Sequence, residues 1–138
     1  MILDTSALVA ILHDEPEAGE FTHRIEAAEA CRLSAANWLE AAIVIDGSRN
    51  PILSRRFDEL LSVANVAIEA VTADQVRLAR QAYRDFGRGS GHPARLNFGD
   101  CFAYALAKSM GEPLLFKGED FGHTDVAVAR AGGSPATR

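Results

Sequence analysis

The sequence predicts an α/β domain whose parallel sheet is covered by helices on both faces. Short apolar runs typical of strands alternate along the chain with segments whose apolar residues recur every three or four positions. This alternation is typical of parallel sheets, because the connection between two parallel strands usually contains a helix. The 138 residues are enough for one domain with its own hydrophobic core.

The first third of the chain contains two predicted strands and three predicted helices. Met1–Leu3 is the first strand, Thr5–Leu12 is a short apolar helix, and a break at His13–Pro16 precedes a second helix. Cys31–Leu33 is the second strand, and a third helix follows from about Ala35 to Ile45. The second helix is indicated by apolar residues at helical spacing: Phe21, Ile25 and Ala28.

The remainder of the chain continues the alternation. A turn after Asp46 leads to a fourth helix around Phe57–Ala64, and Val66–Ala70 is the third strand. Thr72 caps a fifth helix, which is followed by a loop over Gly87–Asn97. Three more segments follow: the helix Phe98–Met110, the fourth strand Pro113–Phe116 and a short fifth strand Val126–Val128. We expect a single domain over residues 1–138, with the last eight or so residues as a flexible tail.

Composition excludes several classes of protein. Hydrophobic residues make up 48% of the chain and charged residues 24%, and no apolar run has the ~20 residues of a membrane span. No basic leader precedes the first apolar run, so we expect no signal peptide and a cytoplasmic protein. Cys31 and Cys101 are too few for a disulfide scaffold, and we expect both to be reduced and buried. The net charge of −5 argues mildly against a nucleic-acid groove.

Several carboxylates follow predicted strands, where a parallel sheet places its functional sites. Asp4 directly follows the first strand, Glu40 is the only charged residue in Trp38–Ile45, and Asp100 is the only charged residue in the first ten residues of the sixth helix. The segment after the fourth strand carries three acids: Glu119, Asp120 and Asp125. Each acid has a simpler explanation, as a helix cap worth ~1 kcal/mol or less or as a solvated surface residue.

The acids taken together indicate a metal site. Four carboxylates in one pocket would repel one another strongly even at an effective dielectric constant of about 20, and a cation would remove that repulsion. Oxygen ligands alone favour Mg²⁺ or Mn²⁺ over Zn²⁺. The four histidines have no metal-binding spacing and are expected mostly at the surface. The loop before the sixth helix offers weaker candidates for contacts with a substrate: Arg88, His92 and Arg95.

The ordered set of motifs resembles the PIN-domain ribonucleases and, within them, the VapC toxins of bacterial toxin–antitoxin pairs. The resemblance rests on four motifs: Leu3–Ala7, Glu40, Asn97–Cys101 and Phe116–Phe121. It extends from residue 1 to about residue 128, which is nearly the whole chain. It implies a three-layer α/β/α sandwich with a central, mostly parallel sheet.

The resemblance also implies a site and a reaction. Asp4 and Asp100 would bind Mg²⁺, for which Mn²⁺ can substitute, and Glu40 with Asp120 or Asp125 would complete the catalytic acids. Three residues would support the acids by hydrogen bonds: Thr5, Ser6 and Asn37. The implied reaction is hydrolysis of an RNA phosphodiester bond by metal-activated water. The implied partners are a cognate VapB-type antitoxin, an RNA substrate and a second copy of the chain, with no membrane.

Two other functions stay open at this level. A response-regulator receiver domain also has an acidic pocket and a lysine after a late strand, a position that Lys117 matches. A receiver domain, however, requires paired acids after the first strand, where this chain has Asp4 alone. A PIN-like domain that only binds a partner is the second. A phosphatase of the haloacid dehalogenase type is disfavoured, because Thr5 and Ser6 follow Asp4 where a second aspartate is required.

Overall fold

A computed structural model describes residues 1–129 of the chain. Its four strands pair in the order β3-β2-β1-β4, and every pair is parallel. The strands are β1 (Ile2–Leu3), β2 (Arg32–Ser34), β3 (Ala67–Glu69) and β4 (Leu114–Leu115). The helices are α1 (Thr5–Leu12), α2 (Ala18–Ala27), α3 (Ala35–Gly47), α4 (Pro51–Val63), α5 (Ala73–Phe86) and α6 (Phe98–Met110). The predicted tail lies outside the described residues.

Helices cover both faces of the sheet, which confirms the predicted sandwich. Neighbouring strand residues point to opposite faces: Ile2 and Leu114 lie in one core cluster, and Leu3 and Leu115 lie in the other. The cluster around Leu3 includes apolar residues of α1, α2, α3 and α4. The cluster around Ile2 includes apolar residues of α5 and α6. Ile2, Leu3, Leu33, Leu114 and Leu115 of β1, β2 and β4 are therefore fully or almost fully buried, as in parallel sheets, whereas β3 at the edge of the sheet is largely exposed.

Local capping explains where several helices begin. The side chain of Asn50 accepts hydrogen bonds from the amides of Ile52 and Leu53, and Pro51 occupies the first helical position of α4. Thr72 caps α5 as predicted, through the amide of Gln75. Gly111 ends α6 with φ of 65°, a left-handed conformation that favours glycine.

The predicted fifth strand is wrong. Val128 forms a single parallel bridge with Leu114, and no strand forms over residues 126–128. The reason is local: residues 124–126 form a bend, held by a hydrogen bond from the amide of Val126 to the hydroxyl of Thr124, so pairing with β4 begins only at Ala127. The predicted third strand, Val66–Ala70, is shortened to Ala67–Glu69.

The candidate site lies at the carboxyl edge of the sheet. The helices α1 and α3 begin directly after β1 and β2, and the segment after β4 leaves the same edge. The loop between α5 and α6 is closed by hydrogen bonds from the amide of Arg88 to the carbonyl of Leu96 and from the amide of Leu96 to the carbonyl of Phe86. This closure brings the start of α6 back to the end of α5.

Two further expectations concern the cysteines and the membrane. Cys31 and Cys101 are both free and buried, as predicted. Within residues 1–129, none of the helices combines the length and the apolar character needed to cross a bilayer.

Candidate metal centre

Asp4 is a helix cap and also a buried acid. Its Oδ2 atom accepts hydrogen bonds from the amide of Ser6 at 3.0 Å and from the Ser6 hydroxyl at 2.5 Å. The residue is only 3% exposed. Burial raises the pKa of Asp4 to about 7; the Ser6 hydrogen bonds oppose this shift, and the charges of Asp100 and Glu40 add to it. A cap alone requires neither this burial nor neighbouring acids.

Ser6 connects two strand ends at the site. Its hydroxyl donates to Asp4 and accepts a hydrogen bond from the amide of Lys117 at 2.9 Å. Lys117 follows β4, so the contact holds the ends of β1 and β4 together. The ammonium group of Lys117 pairs with Glu15 and Glu17 and not with Asp4, which removes the contact that a receiver domain would require.

Glu40 projects from α3 toward the start of α6. Its Oε1 atom accepts hydrogen bonds from the hydroxyl of Thr5 at 2.5 Å and from the side-chain amide (Nδ2) of Asn37 at 3.2 Å. Asn37 is fully buried, and its side-chain Nδ2 also donates to the backbone carbonyl of Gly99 at 3.0 Å. A Cβ atom at position 99 would overlap the Glu40 carboxylate, so this glycine allows the acid to lie against α6.

Asp100 belongs to a capping box at the start of α6. Its Oδ2 atom accepts a hydrogen bond from the amide of Asn97 at 3.0 Å, and its own amide donates to the Asn97 side chain at 2.9 Å. Burial raises the pKa of Asp100 to about 6, against the Asn97 hydrogen bond; Asp120 and Glu40 raise it further, and Arg88 lowers it. The cap explanation is therefore correct for Asp100 as well, but it does not explain why other acids lie nearby.

The segment after β4 separates the two alternatives for the fourth acid. Asp120 is exposed, and its charge acts on Asp100. Asp125 instead accepts hydrogen bonds from the hydroxyl of Tyr104 at 2.6 Å and from the ammonium of Lys108 at 3.2 Å. Partial burial raises the pKa of Asp125, but the contacts with Tyr104 and Lys108 outweigh it and lower the pKa below its usual value. The charge of Asp120 thus reaches Asp100, whereas Asp125 is engaged by Tyr104 and Lys108 of α6.

The chemistry of the four acids suits a hard divalent cation. Asp4, Glu40 and Asp100 each use one carboxylate oxygen in hydrogen bonds, and among the described residues the second oxygen of each accepts none. These second oxygens are available ligands, and all are of the type that Mg²⁺ and Mn²⁺ prefer. Within residues 1–129, no three acidic, histidine or cysteine side chains already converge to hold one ion. A cation would therefore have to draw these side chains together.

The predicted substrate contacts lie in the loop before α6, in different settings. Arg88 is exposed at the mouth of a groove of about 590 Å³ between α5 and α6, and its charge acts on Asp100. Arg95 is exposed, with φ of 54°. His92 is half-buried: its ring packs edge-on against Phe86, and its Nδ1 atom accepts a hydrogen bond from the amide of Ala94. The loop structure thus accounts for His92. The other three histidines are exposed, as predicted.

An exposed apolar surface next to Glu40 was missed by reasoning from the sequence. Leu39 is 53% exposed, Ile43 62% and Phe98 79%. A groove of about 320 Å³ runs between them, with Glu40 and Gly99 also in its wall. The signal was present in Trp38–Ile45, because a helix that is apolar all round cannot bury every face against a single sheet.

Comparison with known proteins agrees with this architecture. The family model of the PIN domain matches residues 1–127. Ribonuclease VapC28 of Mycobacterium tuberculosis is 58% identical over 129 residues, which are 94% of this chain and 97% of that protein. Ribonuclease VapC42 of the same species is 51% identical over 129 residues, which are 94% and 98% of the two chains.

Solved structures share the fold at low sequence identity. The Mycobacterium tuberculosis toxin VapC20, described as cleaving the sarcin-ricin loop, has a TM-score of 0.72 at 18% identity, over 94% of this chain and 98% of that one. A toxin–antitoxin complex from Klebsiella pneumoniae has a TM-score of 0.64 at 20% identity, over 87% and 88% of the two chains. The match over nearly the whole length and the identity with the mycobacterial relatives lead to one conclusion. The chain belongs to the PIN-domain family and, within it, to the VapC ribonucleases.

Proposed function

We propose that this protein is a metal-dependent endoribonuclease that acts as the toxin of a toxin–antitoxin pair. The observation that carries the proposal is the placement of Asp4, Glu40 and Asp100 at the carboxyl edge of the sheet, each with one oxygen held by hydrogen bonds and the other free of them among the described residues. Asp120 follows β4 at the same edge. Four acids from separate segments gain nothing from this proximity unless a cation is present. The 58% identity to Ribonuclease VapC28 supports RNA as the substrate. An RNA substrate in turn favours a cytoplasmic location.

The acids would hold Mg²⁺, and Mn²⁺ would be able to replace it. Asp4 and Asp100 are the proposed principal ligands, and Glu40 and Asp120 complete the set. A bound ion of this kind supplies water with a lowered pKa and a positive charge close to the reacting phosphate.

The residues around the acids would orient them. Ser6 fixes Oδ2 of Asp4, Thr5 and Asn37 fix Oε1 of Glu40, and Asn97 fixes Oδ2 of Asp100. Fixing one oxygen of each carboxylate limits its rotation and leaves the other oxygen as the available ligand, which is how outer hydrogen bonds commonly tune a metal site.

Charge at the mouth of the site is compatible with RNA despite the net charge of −5. A divalent cation would offset part of the negative charge of the acids. Arg88 and Arg95 are exposed beside α6 and are proposed to contact phosphates of the RNA backbone. His92 is not needed for this role, because its ring and Nδ1 atom are used within the loop.

The experiment that tests the activity is the mapping of new RNA 5′ ends after brief induction of the chain without an antitoxin. We expect new ends at a small number of sites in cells that produce the wild type and none in cells that produce Asp4→Asn at the same level. Equal RNA ends in the two cultures would contradict the proposal.

We also propose that a cognate VapB-type antitoxin binds the protein. One structural neighbour is a toxin–antitoxin complex, which supports a partner of this kind. Co-expression of the neighbouring reading frame should restore growth and yield a complex that purifies as one species. If no neighbouring product does either, the protein acts without an antitoxin.

A homodimer is the third part of the proposal. Leu39, Ile43 and Phe98 expose apolar area on one surface, which a second copy of the chain would bury. Sedimentation of the wild type and of Ile43→Glu distinguishes a dimer from a monomer. The control is Ile68→Glu on β3, which changes another exposed apolar residue. We expect a dimer for the wild type and the control and a monomer for Ile43→Glu. A wild-type monomer would contradict this assignment.

The second candidate function is that of a PIN domain that binds a partner without catalysis. It is favoured by the absence, within residues 1–129, of three side chains already converged on one ion. Titration with Mn²⁺ separates the candidates, since a non-catalytic domain has no saturable site that depends on Asp4 and Asp100.

A further inference from the structure

A cluster of side chains that the metal site does not use fixes the segment after β4 to helix α6. We propose that Tyr104, Lys108 and Asp125 form a clamp that keeps Asp120 beside Asp100. The inference rests on the proposed function and deepens it, because it makes Asp125 a positioning residue for a metal ligand rather than a ligand.

One face of α6 carries both Asp100 and the two clamp residues of this helix. Asp100, Tyr104 and Lys108 are four residues apart, so they lie on one face of the helix in successive turns. The facing segment carries two acids in the same order along that face. Asp120 lies in the field of Asp100, and Asp125 contacts Tyr104 and Lys108.

The two acids of the segment interact with α6 with opposite signs. Asp120 and Asp100 are both acids, so without a cation their charges repel and push the segment away from α6. Asp125 attracts the segment to α6 through a hydroxyl donor at 2.6 Å and an ammonium at 3.2 Å. The attractive contact is thus placed to offset the repulsion that an empty metal site creates.

Tyr104 connects the clamp to the rigid core. The residue is 7% exposed, and its ring lies 5.8 Å from that of Phe86. A buried ring cannot follow a moving loop, so its hydroxyl gives Asp125 a fixed position. Lys108 is partly exposed and adds the charge of the opposite sign.

The segment transmits this position to Asp120. Phe121 is 2% exposed, and the centroid of its ring lies 5.2 Å from that of Phe116. This packing fixes how close the segment lies to the core. The hydroxyl of Thr124 donates to the carbonyl of Phe121 at 2.7 Å and accepts from the amide of Val126. The residues from Phe121 to Val126 are thereby connected, and Asp120 directly precedes them.

Two measurements on the full chain test the clamp. The variants are Tyr104→Phe, Asp125→Ala, the double variant and the milder Lys108→Gln, with Asp74→Ala as a matched control that breaks an exposed ion pair to Arg77. The first measurement is hydrogen exchange of the amides of residues 121–126 in EDTA. The second is Mn²⁺ affinity by calorimetry, with Asp100→Asn as the variant that reports on the metal site itself.

We expect faster exchange in this segment for the single variants but not for the control. Mn²⁺ affinity should fall about tenfold for Tyr104→Phe and Asp125→Ala, and the double variant should be no weaker than either, since both act through one contact. Lys108→Gln should give a smaller change in the same direction.

Other outcomes separate the two proposals. Unchanged hydrogen exchange in the variants overturns the clamp and makes Asp125 a surface residue. Wild-type Mn²⁺ affinity in Tyr104→Phe, together with loss of Mn²⁺ binding in Asp125→Ala, also overturns the clamp and makes Asp125 a ligand. Absence of Mn²⁺ binding by the wild type, or wild-type affinity in Asp100→Asn, overturns the proposed metal site, and the exchange data then decide on the clamp alone.

Discussion

The carboxylate of Glu40 lies directly against the backbone of Gly99, so the start of α6 accepts no side chain at this position. The contact joins two elements that are far apart in the sequence, because Glu40 belongs to α3 and Gly99 to α6. The same carboxylate is held by Thr5 of α1. Glu40 therefore fixes α1, α3 and α6 relative to one another at the edge of the sheet where the other acids lie.

Replacement of this glycine should move the acid. In Gly99→Ala we expect the Glu40 side chain to rotate away and lose its hydrogen bonds to Thr5 and Asn37, which costs about 1–2 kcal/mol in the free energy of unfolding. RNA cleavage should fall about tenfold, since a ligand loses its support. Thermal melts and cleavage rates measure the two effects.

The matched control is Gly19→Ala. Gly19 lies in α2, and a Cβ atom added there would have no other atom within 4 Å. Alanine should therefore raise stability by ~0.5–1 kcal/mol through helix propensity and leave cleavage unchanged. Wild-type cleavage by Gly99→Ala would show that the position of the Glu40 carboxylate is not needed.

Asp100→Asn should stabilise the metal-free protein and weaken its binding of Mg²⁺. Asparagine keeps an oxygen that can accept the Asn97 hydrogen bond, and it removes one charge from the acids. We expect the metal-free variant to be stabilised by ~1 kcal/mol, or roughly 2–8 °C in melting temperature. Mg²⁺ should raise the melting temperature of the wild type more than that of the variant, because binding to the folded state stabilises it.

Four thermal melts, each protein with Mg²⁺ and with EDTA, provide the comparison. A variant that melts well below the wild type in EDTA and gains as much from Mg²⁺ would identify Asp100 as a structural cap only.

The pH dependence of stability follows from Asp4. Its pKa is raised to about 7 from the ordinary aspartate value of 3.8, so between these values the folded protein holds a proton that the unfolded chain has lost. The free energy of unfolding in EDTA should therefore fall as the pH rises from about 4 to about 7, with a slope of at most ~1.4 kcal/mol per pH unit from this group. Denaturant titrations at several pH values measure the slope.

Asp4→Asn cannot ionise and keeps an acceptor for Ser6, so it is the control for this effect. Its stability should depend less steeply on pH over the same range. Identical slopes for the two proteins would mean that Asp4 is not buried as an acid in the metal-free state.

Much of the fold was predictable because local signals and tertiary packing agree. The helix Thr5–Leu12 was predicted with the bounds that α1 has, since Asp4 caps it and its apolar residues enter the core. The same holds for Phe98–Met110, which begins at the Asn97 cap and ends at Gly111. The fifth strand was predicted wrongly from three residues, because a hydrogen bond from the Val126 amide to the Thr124 hydroxyl holds a bend at residues 124–126, and sequence periodicity does not reveal such a bond.

The site was less predictable than the fold. Asp4, Glu40 and Asp100 could be identified because each is an isolated charge beside or within an apolar run. The choice between Asp120 and Asp125 could not be made, since both lie in one polar segment and differ only in the partners that α6 offers them. The role of Gly99 also depended on a contact across 59 positions of sequence, which no local pattern contains.

The measurement that tests the central claim most directly is cleavage of an end-labelled RNA by the purified chain. The comparison uses wild type with Mg²⁺, wild type with EDTA, and Asp100→Asn with Mg²⁺. We predict no cleavage in EDTA. The rate of Asp100→Asn with Mg²⁺ should be at least about two orders of magnitude below that of the wild type, because a ligand and part of the water activation are lost together. Cleavage at full rate in EDTA, or by Asp100→Asn with Mg²⁺, would contradict the account.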